Sequence, residues 1–425
     1  MRRYRAAIAA VSTTTLITAG ALAAVTVSSS PAYASTALGS NWYASAPYDM
    51  PLDNNPPDLT QVLAATGEKA YVLAFVLAEN GTTCAPAWDG GSSPVSSSDA
   101  VASQISALRA VGGDVAVSFG GYNGTKLGQV CGSAAATAAA EQQVINAYGL
   151  HAIDLDLEEP EYENTTAIAY ELGAAQILQA NNPGIYISVT IPGTTSGTGW
   201  FGEQLLDEAK SLGFTPNSFT IMPFDGGFSG ASSQISALES FNSILTSTFG
   251  WSSATAYAHE GVSSMNGRTD SAEYFYQTDF QSVLTWAESV GLGRYSFWAV
   301  NRDRECNPPD NNGTLSGTCS SVTQNSWDFT KYDAEFAGAT PPVTSSPTTS
   351  SPSASASASP SASASASATA TSGGGGSCAT AWSSTSSYSS GNEVSYNGHD
   401  WTANQWNYNE VPGGASGAWN DDGAC

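Results

Sequence analysis

Ala152-Ile153-Asp154-Leu155-Asp156-Leu157-Glu158 is the stretch whose reading decides the fold. Side chains alternate along an extended chain. Asp154, Asp156 and Glu158 therefore share one face, and Ile153, Leu155 and Leu157 share the other. Apolar residues flank the stretch, so it reads as a buried strand rather than a solvated edge with an accidental acidic face. A calcium site is a second plain reading, but strict alternation without a loop argues against it.

Working outward, short apolar runs alternate with helix-like segments. The expected strands are Ser45–Tyr48, Ala70–Leu77, Asp114–Phe119, Ala152–Leu157, Ile185–Ile191, Ser218–Phe224, Ala254–Ala258 and Arg294–Val300. Amphipathic stretches lie between them, among them Asp99–Val111, Ala134–Ala147, Thr166–Ala180, Gly202–Leu212 and Asp279–Val290. This alternation predicts an α/β fold of the (β/α)8 TIM-barrel type. A doubly wound open sheet competes, but it usually carries a Gly-rich nucleotide loop after its first strand, and none is present.

A strand inside a closed barrel is buried on both faces. Three inward carboxylates there lose hydration and repel one another, so they are retained where they do chemistry. Barrel sites lie at the C-terminal ends of the strands, and Glu158 is the last of the three. Crowding by like charge holds its proton to higher pH, as a general acid needs. Asp156 lies about 7 Å back along the strand and is placed to stabilise positive charge. Asp154 is deepest and is expected to share a proton with Asp156.

The ends of the chain read differently. Residues 1–34 carry a basic start, an apolar stretch and Ala32-Tyr33-Ala34, the pattern of a secretory signal peptide cut after Ala34. Six cysteines, an even number in an oxidising compartment, predict disulfides. Their spacing suggests Cys84–Cys131, Cys306–Cys319 and Cys378–Cys425. With three histidines and no C-x-x-C pair, no metal site and no cofactor is expected. A formal net charge of −25 repels nucleic acid and anionic membranes and suits a neutral substrate. The expected product is a secreted, extracellular monomer.

Residues 340–377 are almost all Ser, Ala, Thr, Pro and Gly and form a linker. They divide a catalytic unit, residues 35–339, from a tail, residues 378–425, rich in aromatics. So short a tail buries little core, which a Cys378–Cys425 bridge would supplement. Trp382, Tyr396, Trp401 and Trp419 are expected in that core. The remaining aromatics are too many to bury, and exposed flat rings stack on sugar faces.

Several of these segments resemble a known family. Gly149-Leu150-His151-Ala152-Ile153-Asp154-Leu155-Asp156-Leu157-Glu158 is similar to the D-x-x-D-x-D-x-E signature of family-18 glycoside hydrolases, the chitinases and their relatives. Ser118-Phe119-Gly120-Gly121 resembles their S-x-G-G motif, and Met222-Pro223-Phe224-Asp225 their M-x-Y-D segment. Tyr48 fits the aromatic ending strand one, and Trp298 the floor of the −1 sugar subsite. The resemblance implies a substrate-assisted retaining mechanism, in which the substrate's N-acetyl carbonyl is the nucleophile. Glu158 would be acid and base, Asp156 would orient the acetamido group, and Asp154 would support Asp156. Tyr48, Ser118, Met222, Phe224, Asp225 and Trp298 would form the substrate site. Two positions depart from the pattern: His151 replaces its first Asp, and Phe224 replaces a tyrosine whose hydroxyl it cannot reproduce. The tail resembles small chitin-binding modules of families 5 and 12, with Trp406 and Tyr408 as the exposed pair.

The resemblance implies a chitinase acting on chitin and N-acetylglucosamine oligomers. An endo-β-N-acetylglucosaminidase and a silent chitin-binding lectin are the alternatives. Roughly thirty-five residues separate the expected strands seven and eight, too few for an inserted domain and suggestive of an open groove and endo-cleavage.

Overall fold

A computed structural model of the chain describes residues 37–310, 313–339, 378–383, 387–388, 393–403, 407–408, 411–413 and 419–425. The expected signal peptide and linker lie outside these residues. Eight parallel strands follow one another in chain order: β1 Tyr48–Asp49, β2 Ala70–Glu79, β3 Asp114–Gly120, β4 Ala152–Asp156, β5 Tyr186–Pro192, β6 Ser218–Met222, β7 Glu260–Met265 and β8 Arg294–Trp298. Each pairs with the next, and helices follow most strands, which is the (β/α)8 architecture the alternation predicts.

β1 is short because prolines at 47 and 51 bracket it and supply no N–H to a ladder. Side chains from β8 bridge to the segment before it. Ser296 Oγ donates to the Ala46 carbonyl at 2.7 Å, and Arg294 Nη1 donates to the Tyr43 carbonyl at 2.9 Å.

Two apolar layers follow from the strand alternation. Residues such as Leu73, Val117, Ile153, Leu155, Ile187 and Val189 face outward and pack against Leu172, Leu178, Leu205 and Leu238 of the helices. The inner layer is built from Val72 and small residues, Ala70, Ala74, Ala116 and Ala152, which leave room for the rings of Tyr43, Tyr48 and Tyr186. Polar side chains cap the helix starts: Asp58, Asp99, Ser133, Asn164 and Ser252 each accept from a first-turn N–H.

One strand lies elsewhere than its sequence suggests. Ala254–Ala258 forms part of the helix Ser253–Ala258, because Ser252 caps the Thr255 N–H and starts a helical turn. The seventh strand is Glu260–Met265, whose polar and small residues hide its β character. The expected strand at Ser45–Tyr48 is likewise shifted, since Ser40–Ser45 is helical and pairing begins at Tyr48. The segment between β7 and β8 holds a short antiparallel pair, Gly267–Arg268 with Tyr274–Phe275, and the helix Gln277–Val290.

Bridges close at Cys84–Cys131, Cys306–Cys319 and Cys378–Cys425. The chain divides into two compact units, Met1–Ser346 and Pro347–Cys425. In the second, Glu393–Tyr396, His399–Ala403 and Trp419–Ala424 form an antiparallel sheet. Its buried centre is Val394, Ala403 and Trp419, with Trp382, Tyr388 and Trp401 packed half-buried against it. Tyr396 is also half-buried, so of the four aromatics expected in the core Trp419 fills it and the other three frame it.

Candidate active site

The acidic face of β4 points into the barrel. Asp154 is fully buried, and hydroxyls surround its carboxylate. Tyr48 and Ser118 donate to Oδ2 at 2.9 and 2.7 Å, and Ser188 and Thr190 donate to Oδ1 at 2.5 and 2.9 Å. Four donors fill the acceptor capacity of an ionised carboxylate and hold it in one orientation. The donors come from β1, β3 and β5, so Asp154 ties three strands together.

One pleat further on, Asp156 is 3% exposed and its Oδ1 meets no donor among the described residues. Burial, then the charges of Glu158 and Asp154, raise its pKa well above the usual carboxylate range. Burial thus favours the protonated form of Asp156. Glu158 follows the end of β4 and is half-buried. Burial first, then the neighbouring Glu159, Asp270 and Asp225 charges, raise its pKa to about 7, against the opposing effect of Lys126. A carboxyl poised there both gives and takes a proton at working pH.

The end of β3 must come close to this strand. A Cβ on Gly120, at φ 123°, would sit 1.9 Å from the Asp156 carbonyl oxygen, so no other residue fits. Gly121 N–H donates to that same oxygen at 2.8 Å. The paired glycines of the Ser118–Gly121 segment thus seat the acidic strand against its neighbour.

Aromatic rings line the other side. Trp298, at the end of β8, stacks on Phe75 with centroids 5.4 Å apart and planes 9° apart, and its centroid is 5.9 Å from that of Tyr48. Phe75 and Trp298 remain half-buried, leaving flat apolar surface at the site.

β6 ends at Met222, which is buried. Phe224 lies beyond the strand, half-buried and packed against the apolar core. Asp225 adopts a left-handed backbone (φ 58°), and its Oδ1 accepts the Ser271 N–H at 2.5 Å. The Glu273 carboxylate gathers the N–H groups of Asp225, Gly227 and Phe228 at 2.6–2.7 Å. The loop after β6 is thereby built on the segment after β7.

His151 and Glu260 lie away from this centre. His151 Nδ1 lies 3.1 Å from Asp114 Oδ2, at the opposite end of the barrel strands. Glu260 begins β7, is buried, and accepts from Asn242 Nδ2 at 3.1 Å. Trp406 lies outside the described residues. Of Tyr408 only the backbone is described, in the short strand Asn407–Tyr408 paired with Ser387–Tyr388. Sequence reading passed over Phe75, Ser188, Thr190 and Glu273. Ser188 and Thr190 carry a signal in hindsight: they alternate along β5 in register with Asp154 and Asp156. Phe75 and Glu273 carry none.

Comparison with known proteins agrees with both units. The model of carbohydrate-binding module family 5/12 matches residues 381–420. A probable bifunctional chitinase/lysozyme of Escherichia coli (strain K12) is 28% identical over 277 residues, which are 61% of this chain and 30% of that protein. Endochitinase 11 of Metarhizium anisopliae is 28% identical over 280 residues, 61% of this chain and 52% of that one. The chain thus covers 30% of the one relative and about half of the other. Among solved structures, the catalytic domain of a hyperthermophilic chitinase from Pyrococcus furiosus superposes with a TM-score of 0.62 at 24% identity, covering 69% of this chain and 94% of that one. That likeness is one of fold.

Proposed function

We propose that this chain, a glycoside hydrolase of the chitinase family carrying a C-terminal family 5/12 carbohydrate-binding module, is a secreted chitinase that cleaves β-1,4 bonds of N-acetylglucosamine polymers from within. The observation carrying this reading is the electrostatic division of one strand. Asp154 is fixed by four hydroxyl donors, Asp156 is buried with its pKa raised well above the usual carboxylate range, and the pKa of Glu158 is raised to about 7 where the strand opens.

In this reading Glu158 gives its proton to the leaving glycosidic oxygen as the C1–O bond breaks. As the resemblance to family-18 glycoside hydrolases implies, the substrate's acetamido oxygen supplies the electron pair that closes on C1. Asp156 orients that acetamido group, and the Asp225 loop helps to confine it. Glu158, now ionised, takes a proton from the water that reopens the ring, and the configuration at C1 is retained. Trp298, stacked on Phe75, is the platform under the sugar. Export after loss of residues 1–34 accords with three disulfides.

The test is hydrolysis of N-acetylglucosamine oligomers by wild type and Glu158→Gln. The expected result is a fall in kcat of about 10²-fold or more with the substitution. Wild-type activity should decline about tenfold per pH unit above about 7, because a general acid acts only while protonated and its raised pKa keeps it so up to that point. Equal product release by both proteins would remove Glu158 from its role.

A further inference from the structure

Lys126 is 1% exposed, in the segment between β3 and the helix Leu127–Val130. A lysine is almost never fully buried without a reason, because its ammonium loses its hydration. Its Nζ donates to two backbone carbonyls, Tyr122 at 3.0 Å and Glu159 at 3.3 Å. Tyr122 lies in the loop leaving β3, and Glu159 directly follows the candidate acid. The ammonium therefore ties together the two loops that bracket Glu158.

Behind it lies a group of buried carboxyls. Glu161 is on the loop after β4, Glu171 on the helix Thr165–Asn181 and Glu141 on the helix Ala134–Tyr148, each at most 2% exposed. Glu171 Oε1 accepts the Gly128 N–H at 2.6 Å. No N–H or O–H among the described residues reaches the carboxyl oxygens of Glu141 or Glu161. Burial, with the neighbouring Glu171 carboxyl, raises the pKa of both well above the usual range and favours their neutral form. The carboxyl groups facing Lys126 are those of Glu161, Glu158, Asp156 and Glu159. Two of these belong to the acidic strand and its end.

We propose that Lys126 is a positioning residue for the cleavage reaction, a buried cation that clamps the loops after β3 and β4 and faces the carboxyls at the end of the acidic strand. It touches no substrate. It holds the Glu159 carbonyl, and with it the direction in which Glu158 leaves the strand, and its charge makes the Glu158 proton easier to release. This inference rests on the reading of Glu158 as acid and base.

The experiment compares full-chain wild type, Lys126→Met, Lys126→Arg and Glu158→Gln on a soluble N-acetylglucosamine oligomer across pH, with circular dichroism and thermal melts to establish folding. Lys126→Met should lower kcat about tenfold or more with little change in KM. It should also move the alkaline limb of kcat/KM up by about half a pH unit or more, since losing the cation raises the pKa of the acid. Lys126→Arg should return that limb to its wild-type position. An inactive Glu158→Gln beside a Lys126→Met protein with an unmoved limb overturns this inference and leaves Glu158 intact. A Glu158→Gln protein as active as wild type overturns the Glu158 reading itself. An Arg variant whose limb moves as far as that of the Met variant shows packing at work and also overturns the proposal. Should Lys126→Met fail to fold, Lys126→Arg decides alone: lowered kcat with an unmoved limb supports the clamp, and a displaced limb refutes it.

Discussion

Asp154 is the fixed point of the site, and Tyr48 is its most exacting partner. The Tyr48 hydroxyl donates to Asp154 at 2.9 Å, lies 3.0 Å from Thr190 Oγ1, and belongs to a ring that also packs against Trp298. Tyr48→Phe keeps the ring and removes one of four donors, leaving a buried carboxylate one bond short. A lost hydrogen bond to a charged group costs about 1.5–3 kcal/mol. The expected outcome is a Tm lower by several degrees and a kcat lower by about tenfold, measured by calorimetry and oligomer hydrolysis; an unchanged Tm would show Asp154 to be satisfied by the other three. Much of this was legible beforehand, because alternation along one strand is a local property: Asp154, Asp156 and Glu158 announce their shared face within five residues. Lys126 and Glu273 do not announce theirs. Lys126 meets a carbonyl 33 residues away, and Glu273 meets an N–H 48 residues away. A single buried Lys or half-buried Glu has no neighbours in sequence to mark it.

At the scale of elements, patterns with strong period were readable and weak ones were not. β4 and β5 read cleanly because Ile, Leu and Val alternate with polar residues. β7 did not, because Glu260-Gly261-Val262-Ser263-Ser264-Met265 is mostly small and polar, while the more apolar run before it was captured by the Ser252 cap. That displacement hid the short strand pair Gly267–Arg268 and Tyr274–Phe275, and with it the support for the loop after β6. Glu273 accepts three N–H groups of that loop, and Asp279 accepts a fourth, from Ala231, at the start of the following helix. Glu273→Ala leaves the Asp225 loop without its anchor. If Asp225 confines the acetamido group, this variant should raise KM for N-acetylglucosamine oligomers about tenfold, the scale of one lost charge-assisted bond, with a smaller fall in kcat. Steady-state kinetics checks this, and a change confined to kcat would place the loop's influence on chemistry instead of binding.

For the whole molecule, the question is what a second unit adds to a barrel that holds the whole candidate site. The acidic strand, its hydroxyl donors and the aromatic platform all lie within the first unit, and the second has its own sheet, core and disulfide. The composition of residues 340–377 predicts a linker between the two. Tethering through such a linker would raise the local concentration of barrel at a surface to about the millimolar scale without altering any contact at the bond being cut. The consequence differs with substrate. Soluble oligomers diffuse to the barrel unaided, so removing residues 378–425 should leave kcat and KM on them within about twofold. Insoluble chitin cannot diffuse, so the same deletion should cut its degradation several-fold or more at low enzyme concentration. The deficit should shrink as enzyme is added, since free concentration then replaces tethered concentration. Sugar release from both substrates over an enzyme titration measures this. A deficit on chitin that persists at saturating enzyme would mean that the module alters the polymer itself, and equal losses on both substrates would mean that the barrel depends on the module to fold.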